Sequence, residues 1–443
     1  MKNNLGITKD NYKLVLGLEI HLHLNTKKKM FCNCSADIWE KEPNTVTCPV
    51  CLGLPGALPV PNEEAIIKTQ ILGLALGCSL NENTRFDRKH YFYPDLPKGY
   101  QISQYKQPLC IEGMVELDNG FKAEIERVHL EEDVAKSFHQ KDRTLLDFNK
   151  SGVPLVEIVT KPIFSDVKDA VEFCKKVQHT VRFLGIGDVD MEKGQMRLEA
   201  NISLRTKEME EKKELAPYKV EIKNINSFRF MEKAVNAEIV RQLEVCEKGE
   251  MPIQENRGYD EDKGVTVAQR SKEEAKDYRY FPEPDIPPMV FDKVYVAKLK
   301  EELPELLYDI KNRFIVDYKI SNELSIKLIN NLSNDMIKKY EHFVKSGLDA
   351  TKVANVLINK KETHTMSDDD FRNYIEGAKE SISDEDLNSI VKKVLESNEK
   401  AVSDYKNGKE NSVQFLIGHV MRETQGKTTP DQAKEALIKA LSI

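Results

Sequence analysis

The chain has 443 residues, 40% of them hydrophobic and 31% charged, which suggests about three globular domains and argues against wholesale disorder. Its 66 Lys+Arg and 73 Asp+Glu residues give a formal net charge of −7, so non-specific binding of nucleic acid through phosphate neutralisation is not expected. No apolar run approaches the ~18–20 residues of a membrane helix. The N-terminus also lacks the apolar stretch of a signal peptide, and we therefore expect a cytoplasmic protein.

Residues 14–24 alternate between apolar and polar side chains, which predicts a half-buried strand. The apolar face consists of Leu14, Leu16, Leu18, Ile20, Leu22 and Leu24. Glu19 and His21 lie on the opposite face, two rises of about 3.3 Å apart, close enough to bind one metal ion. The alternative interpretation is the solvated polar face of an edge strand.

Four of the eight cysteines cluster in the loop 32–51, as Cys-x-Cys followed by Cys-x-x-Cys. They are Cys32, Cys34, Cys48 and Cys51. Two close pairs can place four thiolates around one tetrahedral zinc, and such a site would be structural because it leaves no open position. The alternative is four reduced cysteines on a metal-free loop.

Several further elements follow in chain order. We predict a helix capped by Asn62 and ending near Gly77, a strand at 153–159, a helix from Ser165/Asp166 to Leu184, strands at 196–205 and 218–224, and a helix at 230–246. Beyond the proline-rich segment 281–288, Lys, Glu, Leu and Ile dominate at helical spacing.

Glu157 interrupts the apolar strand predicted at 153–159. A carboxylate among apolar neighbours is costly to bury unless it is paired or bound to a metal. A metal ligand and a salt bridge to an arginine are both open on the sequence alone.

Segment 127–133 is acidic and strand-like. Alternation places His129, Glu131 and Asp133 on one face, and Glu132 faces the other way unless a bulge re-aims it.

Two segments, 90–95 and 277–285, combine aromatic residues, proline and acidic residues, and the first lies among Arg88, Lys89 and Lys98. Aromatic rings interleaved with cations can stack a base and hold phosphates. They are also typical of packed loops.

The pattern predicts an α+β fold in three parts. A large mixed α/β cradle domain built on an antiparallel sheet covers 1–293, an all-helical region covers 294–380, and a small helical tail covers 381–443.

Seven ordered segments between residues 13 and 290 resemble the GatB/GatE family, the B subunits of tRNA-dependent aspartyl/glutamyl amidotransferases. They are Gly-Leu-Glu-Ile-His at 17–21, Cys-Pro-Val-Cys-Leu-Gly-Leu-Pro-Gly-Ala-Leu-Pro at 48–59, the aromatic segment 86–104, His-Leu-Glu-Glu-Asp at 129–133, Pro-Leu-Val-Glu-Ile-Val at 154–159, Glu-Ile-Lys-Asn-Ile-Asn-Ser-Phe-Arg at 221–229, and the aromatic segment 277–285.

The resemblance implies a ligase that forms carbon–nitrogen bonds. In that family, aspartate misacylated on asparagine tRNA, or glutamate on glutamine tRNA, is activated with ATP at its side-chain carboxylate. Ammonia channelled from a glutaminase, the A subunit, then forms the amide, and the heterotrimer is completed by a small C subunit. The sequence does not distinguish between the two tRNA substrates.

The resemblance also implies site residues by position. The magnesium ligands fall on Glu19, His21, Glu132 and Glu157, which requires a bulge or bend near Glu131. Candidate contacts to ATP or substrate are Arg88, Lys89, Tyr93 and Lys98, and candidate tRNA contacts in the tail are Lys427 and Lys434. Retention of all four clustered cysteines favours structural zinc.

Two other functions stay open at this point. One is a divergent paralogue that binds tRNA without activating it, and the other is a metal-dependent hydrolase that uses the same acidic residues.

Overall fold

The computed structural model describes residues 11–269, 278–377, 384–406, 411–424, 428 and 430–441. The chain divides into two compact units, Met1–Leu306 and Leu307–Ile443. The first unit is built on a sheet and the second on helices, which confirms the predicted α+β class.

The first unit carries the strands and five of the helices in the described residues. The strands are β1 (Tyr12–His23), β2 (Ser79–Leu80), β3 (Asn83–Thr84), β4 (Asp87–His90), β5 (Tyr100–Ser103), β6 (Cys110–Glu116), β7 (Lys122–Glu132), β8 (Lys136–His139), β9 (Thr144–Asp147), β10 (Pro154–Thr160), β11 (Met196–Thr206), β12 (Val220–Ile225), β13 (Asn256–Asp260), β14 (Val265–Ala268), β15 (Phe281–Pro282) and β16 (Met289–Val290). The helices are α1 (Glu63–Ala75), α2 (Val167–Phe183), α3 (Lys207–Glu211), α4 (Phe228–Glu247) and α5 (Lys293–Glu301).

Nine strands form the main sheet, in the order β14-β13-β12-β11-β1-β10-β7-β6-β2. All neighbouring pairs are antiparallel except β12 with β13, which are parallel. The first predicted strand, β1, lies inside this sheet and pairs with β10 on one side and β11 on the other. The edge-strand alternative for β1 is therefore excluded.

The core lies against one face of the sheet. The apolar residues of β1 at even positions from 14 to 22 are at most 5% exposed, and they share a core with residues of α1, α2 and α4. Because side chains alternate along a strand, the polar residues of β1 must point to the other face.

The helices of the first unit begin where capping residues predict. Asn62 accepts hydrogen bonds from the backbone N–H groups of Glu64 and Ala65, and Asp166 accepts one from Lys168. Both predicted helix starts are confirmed.

Helix α5 begins at the predicted domain boundary of 293 but packs with the first unit. The hydroxyl of Tyr295 donates a hydrogen bond of 2.7 Å to Gln70 in α1. This contact explains why the compact unit extends to Leu306.

The second unit is helical throughout its described residues. It contains α6 (Leu307–Asp317), α7 (Asn322–Asn331), α8 (Asn334–Lys345), α9 (Ala350–Asn359), a 3₁₀ turn (Lys361–Thr365), α10 (Asp368–Gly377), α11 (Asp384–Ser397), α12 (Glu399–Lys406), α13 (Asn411–Glu423) and α14 (Pro430–Leu441). Residues of α11, α13 and α14 share one apolar core that includes Leu416 and Leu437. No helix in the described ranges is long and apolar enough to cross a membrane.

Candidate active site

A polar cavity of about 680 Å³ lies over the central strands of the main sheet. Its floor consists of charged side chains from five neighbouring strands, namely Glu19 and His21 of β1, His129 and Glu131 of β7, Glu157 of β10, Arg197 and Glu199 of β11, and Glu221 and Lys223 of β12. The pairing explains this convergence, because His21 lies opposite Glu157, and Glu157 lies opposite His129.

His21, Glu131 and Glu157 form the first cluster, with one potential ligand atom from each within 4.8 Å of the others. His21 Nε2 lies 3.3 Å from Glu157 Oε2 and 3.6 Å from Glu131 Oε1. Both carboxylates are buried. One imidazole nitrogen and two carboxylate oxygens at this spacing fit a divalent cation.

The electrostatics of this cluster indicate a shortage of positive charge. Burial opposes protonation of His21, but Glu157 and Glu131 together raise the pKa of His21 to about 9. Burial and the charge of Glu157 raise the pKa of Glu131 to about 7. A proton on either group thus offsets the two adjacent carboxylates, and a cation can take that role.

His129 lies directly behind Glu157 in the sheet. Its Nε2 is 3.5 Å from Glu157 Oε2, and burial lowers the pKa of His129 to about 4, against the attraction of that carboxylate. His129 is therefore neutral at pH 7 and holds Glu157 without adding charge.

The predicted ligand Glu132 is not in this cluster. Its side chain faces the other side of β7, where it accepts hydrogen bonds from Lys98 Nζ at 2.5 Å and from the backbone N–H of Ile102 at 3.0 Å. The β7–β10 ladder is regular from Glu132 to Arg127, so the expected bulge near Glu131 does not form. Simple alternation, which favours Glu131, describes this strand correctly.

Glu19 belongs to a second acidic cluster, with Glu199 and Glu221. Lys223 Nζ lies 2.9 Å from Glu199 and 3.1 Å from Glu221, and Asn201 donates a hydrogen bond to Glu19. This cluster thus already contains one ammonium group. The sequence indicated Glu19 but not its partners on β11 and β12.

Of the four candidate contacts to ATP or substrate, Lys89 lines the cavity and the other three do not. Burial opposes the charge on Lys89, but Glu131 and Glu157 raise its pKa above the ordinary value, so its ammonium stays charged. Arg88 instead pairs with Glu283 and Asp285, and Lys98 pairs with Glu132. Tyr93 is half exposed outside the cavity.

Asp133 is a functional candidate whose environment the sequence did not reveal. Its Oδ2 lies 2.6 Å from His23, 2.8 Å from Lys150 and 2.9 Å from Arg197. Burial opposes ionisation, but Lys150 and Arg197 hold the pKa of Asp133 well below its usual range. This arrangement fixes Arg197 at the cavity wall.

The four cysteines of the loop converge, with their sulfur atoms within 4.8 Å of one another and Cys48 Sγ 3.8 Å from Cys51 Sγ. Zn–S bonds of about 2.3 Å in a tetrahedron place sulfur atoms ~3.8 Å apart, so the set fits zinc. Hydrogen bonding from Cys32, assisted by the backbone N–H of Cys48 and by Lys29, lowers the pKa of Cys51 against the effect of burial. Charge on Cys51 is the form that binds metal.

The two tail candidates cannot be compared with each other. Lys427 lies outside the described residues, and Lys434 is exposed on α14. Their predicted role in tRNA binding stays a prediction.

Comparison with known proteins identifies the family. The family model for the GatB/GatE catalytic domain matches residues 14–297, and the one for the GatB domain matches residues 310–441. The chain is 43% identical to the B subunit of the aspartyl/glutamyl-tRNA(Asn/Gln) amidotransferase of Thermotoga petrophila, over 97% of this chain and 99% of the relative. It is 40% identical to a B subunit of the same amidotransferase, the one numbered 2, of Clostridium acetobutylicum, over 98% of this chain and 100% of the relative. The chain therefore belongs to the GatB/GatE family.

Proposed function

We propose that this chain is the tRNA-dependent subunit of a glutamine-dependent amidotransferase, and that it converts Asp-tRNA(Asn), Glu-tRNA(Gln) or both to the amidated forms. The observation that carries the proposal is the buried cluster of His21, Glu131 and Glu157 beside Lys89, in a chain that matches amidotransferase relatives over nearly its whole length.

The proposed chemistry has two steps. An oxygen of the substrate's side-chain carboxylate attacks the γ-phosphorus of ATP, so that an acyl phosphate forms and ADP leaves. Ammonia then attacks the acyl carbon and inorganic phosphate leaves. A carboxylate is a poor acyl donor, and conversion to an acyl phosphate supplies the leaving group.

His21, Glu131 and Glu157 would hold a magnesium ion in this reaction, and Glu19 lies beside them on the same strand face. The bound ion would neutralise phosphate charge and clamp the phosphoryl group. His129 holds Glu157 in place, and Lys89 adds a fixed positive charge to the same cavity.

The rest of the molecule suggests the supporting roles. Zinc on the four cysteines would hold the loop 32–51, away from the reacting atoms. A glutaminase, the A subunit, would supply ammonia, and a small C subunit would complete the heterotrimer. The helical tail with Lys434 would contact the tRNA.

The test replaces Glu157 with alanine and measures tRNA-dependent ATP cleavage and amidation in the assembled complex, with ammonia supplied directly. Loss of a charged metal ligand typically removes several kcal/mol of transition-state stabilisation, so amidation is expected to fall at least ~100-fold. Glutaminase activity is expected to persist at a basal level.

Glu124→Ala is the matched control, because Glu124 also lies in the main sheet but forms an exposed pair with Lys161. That variant should amidate at the normal rate. Normal amidation by Glu157→Ala would mean that the acidic cluster is structural. A wild-type complex that binds tRNA without cleaving ATP would indicate a non-catalytic paralogue, and tRNA-independent hydrolysis would indicate a hydrolase.

A further inference from the structure

Tyrosines form one wall of the cavity, and two of them stack on each other. The rings of Tyr105 and Tyr280 lie 4.3 Å apart between centroids, with an angle of 9° between their planes. Tyr278 packs edge-on against Tyr280 at 5.9 Å, and both line the cavity with Tyr105. Tyr105 is nevertheless 48% exposed, so much of its ring is accessible to a ligand.

The backbone holds this wall in place. Asp87, only 1% exposed, accepts hydrogen bonds from the backbone N–H groups of Tyr105 and Lys106. On the other side, Tyr280 directly precedes β15, which pairs with β4. A buried carboxylate and a strand pair thus fix two half-open rings at a cavity wall, an arrangement that simple loop packing does not require.

The backbone of Arg279, between Tyr278 and Tyr280, adopts φ of 48°, in the left-handed region that side chains other than glycine rarely occupy. Such conformations persist only where the surroundings determine them, and they concentrate at ligand sites. The carbonyl of Tyr278 accepts a hydrogen bond of 2.9 Å from the backbone N–H of His90, which anchors this segment to β4.

The cavity also determines what kind of ring this wall can accept. Lys89 Nζ lies 5.0 Å from the ring of Tyr278, and its charge faces the carboxylates of the metal cluster. An aromatic platform beside a fixed ammonium group suits a ligand with a flat base at one end and phosphate at the other. A purely apolar ligand would leave Lys89 and the carboxylates of the floor without compensation.

We propose that the exposed face of Tyr105, backed by Tyr280, stacks a purine base in this cavity. This inference rests on the proposed function, which brings two purines to the site, the base of ATP and the 3′-terminal adenosine of the aminoacyl-tRNA. Both offer the same stacking chemistry, and the experiment separates them.

The test uses the assembled complex with Tyr105→Leu and Tyr105→Phe. One arm titrates ATP in the absence of tRNA and measures the dissociation constant. The second arm measures the KM for aminoacyl-tRNA at saturating ATP, with ammonia supplied directly. Phe138→Leu is the control, because Phe138 is similarly exposed at 43% but does not line the cavity.

Stacking of a base on an aromatic side chain is typically worth about five- to 100-fold in affinity. Tyr105→Leu is therefore expected to weaken one ligand by about tenfold, either ATP in the first arm or aminoacyl-tRNA in the second. Tyr105→Phe keeps the π face and is expected to retain most of that affinity, and Phe138→Leu should leave both constants unchanged.

Wild-type constants for both ligands in Tyr105→Leu would overturn the stacking proposal, as would an equal loss in Tyr105→Phe. ATP titration requires no turnover, so a complex that binds ATP through Tyr105 but does not amidate would refute the proposed function alone. A wild-type complex that binds neither ligand would refute both.

Discussion

Glu131 and Glu132 are neighbours on β7 with opposite surroundings, and exchanging each for glutamine distinguishes a metal ligand from a structural partner. Glu131 lies 3.6 Å from His21 in the cavity, whereas Glu132 pairs with Lys98 on the other face. Glutamine preserves the shape of both side chains and removes only the charge.

For Glu131→Gln, we expect loss of the magnesium response and a more stable metal-free protein. Burial and Glu157 raise the pKa of Glu131 from 4.5 to about 7. A raised carboxyl pKa penalises the fold once the group ionises, so the penalty is absent below pH 4.5 and grows until about pH 7. At 1.36 kcal/mol per pH unit this amounts to on the order of 3 kcal/mol, which the variant should recover above about pH 7.

For Glu132→Gln, we expect the reverse. Lys98 is only 12% exposed in its side chain and would lose its anionic partner, which typically costs about 3–5 kcal/mol. Magnesium should still activate this variant at a concentration near that of the wild type. The assays are denaturant unfolding from about pH 4 to 9, with and without Mg²⁺, and magnesium dependence of amidation. Our assignment would be refuted if Glu132→Gln lost the magnesium response while Glu131→Gln kept it.

Two further predictions concern the cysteine loop and Asp133. Metal analysis of freshly isolated, reduced protein should find one zinc per chain, and Cys48→Ser should reduce that content without changing magnesium activation; zinc-free wild-type protein would contradict the site. Because Lys150 and Arg197 depress the pKa of Asp133, this group should stabilise the fold above about pH 4 and lose that effect as the pH falls through its lowered pKa. Asp133→Asn should thus lower the free energy of unfolding at pH 7 by about 3–5 kcal/mol and flatten its acid limb, and an unchanged acid limb would show that Asp133 is not involved.

Local patterns predicted the parts of the fold that depend on neighbours in sequence. The alternation at 14–24 identified β1 and both of its faces, and the caps at Asn62 and Asp166 identified α1 and α2. These features depend on side-chain period and on unpaired backbone N–H groups, which a single sequence records directly.

Features that depend on long-range pairing were not accessible in the same way. Arg88 and Lys98 look equivalent to Lys89 along the chain, yet each of the first two meets a carboxylate from a distant strand or loop. The partners of Glu19 depend on the register between β1, β11 and β12. At Glu131 the alternation within the strand was the better guide than positional transfer from the family.

The location of β1 has a consequence for the time scale on which the site can open. Because β1 is hydrogen-bonded to strands on both sides, the backbone amides near Glu19 and His21 should exchange with deuterium only when the whole first unit unfolds. Tyr105 and Tyr280 lie in connecting segments, where exchange should be orders of magnitude faster. The cavity would thus combine a floor that persists for the lifetime of the folded state with a wall that can rearrange during each catalytic cycle.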